Sequence, residues 1–292
     1  MNLKRGIKLH NLLEDGDESV YINSGTMPYA KLPLEKVNYK SFHFTPLYED
    51  GAYLPKRDWR RLNRQEINQI KPGVNAAAFN TIYIGEIPDL LKQNLLNMEL
   101  SDCVNREAVM TKFNEHPELV KAVSEGMQHF LSTISDGHPF HFHCIAANLP
   151  NLETVACDVT RLPPNFTVPD KKYIGLHNDG TQFMNFYTTH KAGNRITINL
   201  GKESRVFYFI NLTMIQVINL LKQKVDIKKN PPTIHNIAQF FFHHFPDYPV
   251  IKILQKPYQY YIAPTDNAFH DGSTAGNTAL DINMVYFGAF KC

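Results

Sequence analysis

The stretch Leu176-His177-Asn178-Asp179-Gly180-Thr181-Gln182 decides how this chain is read. Side chains at i and i+2 of a strand share a face. At a strand end, His177 and Asp179 therefore aim an imidazole and a carboxylate at one point. Read alone, Asn178-Asp179-Gly180 is also a tight turn, because Asp-Gly is a strong turn signal. What favours the first reading lies far downstream, in Tyr258-Gln259-Tyr260-Tyr261-Ile262-Ala263-Pro264-Thr265-Asp266-Asn267-Ala268-Phe269-His270-Asp271-Gly272-Ser273. There an aromatic strand runs into a Pro-bearing turn, and a second histidine follows. Two imidazoles and one carboxylate cap one face of an Fe(II) ion and leave the opposite positions open for O₂ and a bidentate co-substrate. His177, Asp179 and His270 are the candidate metal ligands.

The segments around them have the rhythm of an antiparallel sandwich or barrel. Short β-type runs are expected at 141–145, 173–177, 182–188, 195–200, 205–212, 250–254, 258–262 and 282–287. Turn clusters such as Lys191-Ala192-Gly193-Asn194 and Gly201-Lys202-Glu203-Ser204 separate several of them. Upstream, Pro88 to Leu96 and the stretch opened by Pro117-Glu118 carry helical patterns. The second places Leu119, Val123, Met127, Phe130 and Leu131 on one face. Residues 1–75 are polar and turn-rich, with one or two strands expected. The segment 214–245 reads as a mixed helical insertion, with Pro231 and Pro232 just before a cap. The expected architecture is a single α+β domain over 1–292 with a mainly β core. Residues 1–137 form an N-terminal embellishment with bracing helices, and 138–292 form the core.

Bulk composition narrows the function classes. A net charge of +2 over 292 residues, with 20% charged residues, gives no reason to invoke nucleic acid or an anionic membrane surface. The basic run Lys56-Arg57-Asp58-Trp59-Arg60-Arg61-Leu62-Asn63-Arg64 is not repeated elsewhere, so it reads as a helix start or as a wall for an anionic substrate. No apolar run approaches the roughly 18 residues of a membrane span. Cys103, Cys144, Cys157 and Cys292 show no C-x-x-C spacing and are expected as free thiols. A cytoplasmic location follows as the expectation. Other histidine groupings are poorer metal sites. His141-x-His143 with nearby His138 has no carboxylate at useful spacing, and His243-His244 on a helix point about 100° apart.

The "LHNDGTQ" and "YIAPTDNAFHDGS" segments resemble the Fe(II)/2-oxoglutarate oxygenase superfamily over roughly residues 170–290. Its core is a double-stranded β-helix (jelly-roll or cupin-like). The resemblance implies His177, Asp179 and His270 as iron ligands, with Fe(II) and 2-oxoglutarate as cofactor and co-substrate. It further implies O₂ and a small molecule, such as an amino acid or specialised metabolite, as the reactants. Asp179 implies a hydroxylase, since halogenases of the superfamily lack that carboxylate. The chain departs from the pattern in one respect: no Arg or Lys follows His270 until Lys291. Some branches place the co-substrate's cation on the strand after the H-x-D hairpin, which implies Arg195 first and Arg205 second. Arg57, Arg60, Arg61 and Arg161 are candidates for a substrate carboxylate. Two alternatives stay open: an iron oxygenase with the same triad that does not use 2-oxoglutarate, and a non-enzymatic β-sandwich whose H-N-D-G is only a turn.

Overall fold

Among the described residues, alternating strands in the C-terminal half and scattered short strands in the N-terminal half combine into two larger sheets and three two-stranded ones. The computed structural model describes residues 2–13, 16–73, 76–180 and 185–292. The first segment holds β1 (Lys8–Asn11), β2 (Val20–Ile22), β3 (Thr26–Pro28), β4 (Val37–Tyr39), β5 (Phe42–Phe44), β6 (Leu47–Tyr48), β7 (Tyr53–Pro55) and β8 (Arg60–Arg61). Next come α1 (Arg64–Ile70), β9 (Thr81–Glu86), α2 (Asp89–Asn97), α3 (Arg106–Glu115) and α4 (Pro117–Ile134). The core then supplies β10 (His141–Asn148), β11 (Lys172–Tyr173), β12 (Asn194–Asn199) and β13 (Arg205–Phe209). Helices α5 (Met214–Leu221) and α6 (Ile237–His244) precede β14 (Ile251–Gln255), β15 (Gln259–Ala263), β16 (His270–Ser273) and β17 (Asp281–Gly288).

One sheet has the order β1-β9-β15-β12-β17-β10 and the other β16-β13-β14-β2-β8. All their pairings are antiparallel except β1 with β9. Period-two alternation gives each strand of the larger sheet two different faces. Ile196, Ile198, Tyr260, Ile262, Ile282 and Met284 pack with Leu91, Leu95, Val123, Met127, Phe130 and Leu131 of the helices. The opposite face turns Ile82, Ile84, Tyr261 and Ala263 toward Val20, Ile22, Phe207, Phe209 and Ile253 of the smaller sheet. Each such side chain contributes about 1.5–3 kcal/mol when fully buried, so the inter-sheet core holds the two sheets together. The result is the expected α+β class with a sheet-rich core.

Helix α4 follows its sequence pattern closely. Pro117 sits at its first turn beside Glu118, and Val123, Met127, Phe130 and Leu131 are buried, a spacing that makes one apolar stripe. In α2 the stripe is narrower than the leucine pattern suggests. Leu91 and Leu95 are buried, whereas Leu90 and Leu96 face solvent at 76% and 42% exposure. Positions i and i+4 share a helix face and i+1 does not. The basic run marks a helix start: Asn63 caps α1 in a reciprocal capping box with Glu66. Helix α6 begins at Ile237, later than the Pro-Pro signal suggests.

Three strand expectations change. Among its described residues the N-terminal quarter holds eight short strands instead of one or two; β1 and β2 are stabilised by distant partners, β9 and β14, and β3-β7 and β4-β5 pair with each other. The run at 173–177 pairs as a strand only at Lys172–Tyr173, and His177 is held by an isolated bridge. Of the run at 182–188, residues 182–184 lie outside the described residues, and 186–188 form a turn.

Gly193 just precedes β12 where the chain passes the end of β17, and a Cβ there would lie 2.1 Å from the carbonyl oxygen of Gly288. Gly193→Ala should therefore destabilise the protein by about 1–3 kcal/mol through overpacking, read as a lower denaturant midpoint. An unchanged midpoint would show that this strand end yields freely.

Candidate metal centre

Backbone pairing brings the triad together. His177 and His270 form an antiparallel bridge and exchange both main-chain hydrogen bonds, at 3.1 Å from His177 N–H and 2.7 Å from His270 N–H. Asp179 is placed by its own N–H, which donates to the carbonyl of Thr265 at 3.2 Å. Gly175 makes the bend that leads into His177. Its φ is +75°, and a Cβ there would come 2.7 Å from the carbonyl oxygen of Tyr53, so glycine meets both demands.

Each imidazole is oriented by its own backbone. His177 Nδ1 lies 2.9 Å from the carbonyl oxygen of Gly175, and His270 Nδ1 lies 3.2 Å from that of Ala268. This pattern assigns the Nδ1–H tautomer to both rings and leaves both Nε2 atoms available. Those nitrogens face the same carboxylate: His177 Nε2 is 3.5 Å from Asp179 Oδ1, and His270 Nε2 is 3.4 Å from Asp179 Oδ2. All three ligand atoms lie within 4.8 Å of one another. Ligands about 2.1 Å from an ion and at right angles to each other are roughly 3 Å apart. A two-nitrogen, one-oxygen set at these separations fits a single divalent ion after a small contraction.

The charges around the triad are unequal. Burial opposes ionisation of Asp179, but His270, His177 and Arg195 together hold its carboxyl well below the usual carboxylate range. Burial would lower the His177 pKa, yet the Asp179 and Asp271 carboxylates outweigh it and raise it to about 10. Burial, and then the charge of Asp179, push the Asp266 carboxyl up from its ordinary value.

The two arginines singled out in the sequence sit in different places. Arg195, second residue of β12, pairs with Asp179 Oδ2 at 2.9 Å and lies 4.3 Å above the Phe287 ring. Arg205 is 3% exposed, and its Nε pairs with Asp281 Oδ1 at 3.1 Å. The other basic candidates are engaged elsewhere. Arg57 pairs with Glu153, Arg60 pairs with Glu66 at 2.6 Å, and Arg61 donates to the carbonyl of Glu18. The side chain of Arg161 lies outside the described residues. His141 and His143 both pack on Phe287, at ring-centroid distances of 5.2 and 4.4 Å. Among the described residues, the His177–Asp179–His270 group is the one metal-competent cluster. Sequence reading missed Asp266 and Asp271. Both are ordinary turn or strand-edge residues by type, and only the fold places them beside the ligands.

No protein-family model matches the sequence, and no curated protein matches it. Among solved structures, the chain is similar to the Kdo hydroxylase KdoO, a non-heme Fe(II) alphaketoglutarate dependent dioxygenase. With KdoO bound to alphaketoglutarate and Fe(III), the identity is 9% and the TM-score 0.42, over 73% of this chain and 81% of that one. With the succinate and Fe(III) complex these values are 11% and 0.41, over the same shares of the two chains. These are distant likenesses. No helix of the described residues is long and apolar enough to cross a membrane. All four cysteines are free thiols, as their spacing suggests.

In the metal-free protein the raised His177 pKa means that a proton occupies the imidazole at neutral pH. A metal ion must displace it, so affinity for a divalent cation should climb as pH rises toward about 10. The same proton supports the metal-free fold. Its contribution is full below the unfolded histidine value of about 6.5 and fades as pH rises through about 10. Calorimetric titration of Co(II) in buffers of different ionisation enthalpy should report close to one proton released per ion. Release of none would contradict this description of His177.

Proposed function

We propose that this chain is a mononuclear Fe(II)/2-oxoglutarate-dependent oxygenase that hydroxylates an unactivated C–H of a small molecule, and that its two sheets are the double-stranded β-helix of that superfamily. The observation that carries this reading is the convergence of His177, Asp179 and His270 on one point with the Arg195 guanidinium beside them. Bound Fe(II) would supply the activation of O₂, coupled to decarboxylation of 2-oxoglutarate to succinate and CO₂.

The chain's own residues account for the rest. His177, Asp179 and His270 hold one face of the ion, with the imidazoles kept in register by the carbonyls of Gly175 and Ala268. Arg195 recognises the distal carboxylate of the co-substrate. It lies beside the triad, and its flat guanidinium is shaped for a two-point carboxylate contact. Arg205 is assigned to the interior ion pair with Asp281, since a buried cation needs its counter-charge.

Two cavities lie around the triad, one touching two of its members and the other its neighbours Arg195 and Asp266. One of about 530 Å³ is lined by Arg195, Asp266, His138, His141 and Phe287. Another of about 450 Å³ reaches His177 and Asp179 past Tyr53, Cys157 and Ile234. Both fall in the range of small-molecule sites, which supports a co-substrate on the arginine side and a small prime substrate on the other. The lack of any Arg or Lys between His270 and Lys291 motivates a second reading, in which the same triad binds iron without 2-oxoglutarate.

The deciding assay is O₂-dependent release of succinate from 2-oxoglutarate by Fe(II)-loaded protein, screened across amino acids and small metabolites. Iron binding with no succinate under any substrate favours the second reading, and no iron binding removes both. Arg195→Ala should leave the fold intact and raise the 2-oxoglutarate KM by at least about tenfold, as loss of a charge-assisted contact of roughly 1.5–3 kcal/mol implies. Arg205→Ala should instead destabilise the protein by about 3–5 kcal/mol, because it leaves Asp281 buried and unpaired. Equal KM effects from two well-folded variants would remove the Arg195 assignment.

A further inference from the structure

We propose that Asp271 is a positioning residue for the metal centre, a second buried carboxylate that holds and polarises the His177 imidazole without ligating the ion. This rests on the reading of His177, Asp179 and His270 as metal ligands. Asp271 directly follows His270 on β16, and successive strand residues point to opposite faces. His270 therefore faces the triad while Asp271 faces the other side of β16. From there its Oδ2 reaches within 3.7 Å of His177 Nδ1. One strand thus supplies a ligand and, from the next residue, the support of the ligand opposite.

The carboxylate is fixed by one oxygen and idle at the other. Oδ1 accepts backbone N–H groups from Val155 at 3.2 Å and Ala156 at 3.1 Å. Oδ2 is buried and has no hydrogen-bond partner, in a side chain only 1% exposed. Leaving a buried carboxylate oxygen unsatisfied is costly. Among the described residues, no Lys or Arg lies within ion-pair range of Asp271, and His177 is its one basic neighbour. A separation of 3.7 Å is too long for a hydrogen bond, so the interaction is one of charge acting on the Nδ1–H. That charge makes Nε2 a stronger donor to a metal and restrains the ring, as outer carboxylates do behind metal-bound histidines.

A purely structural role predicts something else. Tethering residues 155–156 to β16 needs only Oδ1, and Asp271→Asn keeps an oxygen there while removing the charge. The test uses Co(II) alone as the probe. Asp271→Asn should still fold with a cooperative thermal transition, bind Co(II) about 10–100-fold more weakly and shift the His177 ring-nitrogen resonances of the metal-free protein. A folded variant with wild-type Co(II) affinity and unshifted resonances would overturn the proposal. If the variant does not fold, wild-type protein still decides. Metal-free His177 Nδ1–H should resonate further downfield than His270 Nδ1–H, which faces only the carbonyl of Ala268, and equal positions would refute the role. That comparison uses no metal, so it judges Asp271 even if wild-type protein binds no Co(II), a result that would instead sink the metal-centre reading.

Discussion

Two main-chain hydrogen bonds between His177 and His270 make one site out of two segments that are remote in the sequence. Closing so long a loop costs entropy that grows only logarithmically with its length, but the cost falls on an isolated bridge between the first residue of β16 and a residue outside any strand. It is offset by what surrounds the bridge. β16 is held along its length by β13, where Phe209 lies opposite His270. The preceding residue, Phe269, is fully buried against Phe241 and Phe242 of α6, at ring distances of 5.6 and 5.2 Å. Rigid packing on both sides of His270 lets a two-bond bridge fix the two imidazoles relative to each other.

The electrostatics follow from that geometry. Asp266 and Asp271 lie beside the triad, and Arg195 pairs with its Asp179 carboxylate. Burial, and then the charge of Asp179, raise the Asp266 carboxyl above its ordinary value. Against the effect of burial, the Asp179 and Asp271 carboxylates pull the His177 pKa to about 10. Proton and divalent cation are thus alternative ways of satisfying one electrostatic demand, and the fold creates that demand before either arrives. Two carboxylates flank His177, and the Nε2 atoms of both imidazoles face Asp179.

The sequence discloses this arrangement unevenly. The H-x-D segment, the distal histidine and the alternating strands at 141–145, 195–200, 258–262 and 282–287 are legible because residue type and period are local properties. The helix α4 is legible for the same reason. The N-terminal strands are not, because β1 and β2 are too short to carry a period and owe their existence to partners β9 and β14. Asp271 is invisible for a related reason. Nothing in Phe-His-Asp-Gly-Ser shows that the residue beside one ligand reaches behind the other, since that contact is made by the bridge itself.

The two arginines show how a local rule fails and why. Each stands at the start of a strand after a hairpin-type turn, and the sequence can only rank them. β12 begins beside the triad, with Arg195 on Asp179, and runs away from it. The chain then reverses, so β13 begins at the far end and returns to the triad only at Phe209, opposite His270. Arg205 is four residues short of that point, about 13 Å of strand at roughly 3.3 Å per residue. There it finds Asp281 and the buried polar groups Gln255 and Tyr261. Equal sequence credentials thus diverge through strand direction alone. One guanidinium is spent on interior charge balance, and the other stands beside the triad on the Asp179 carboxylate.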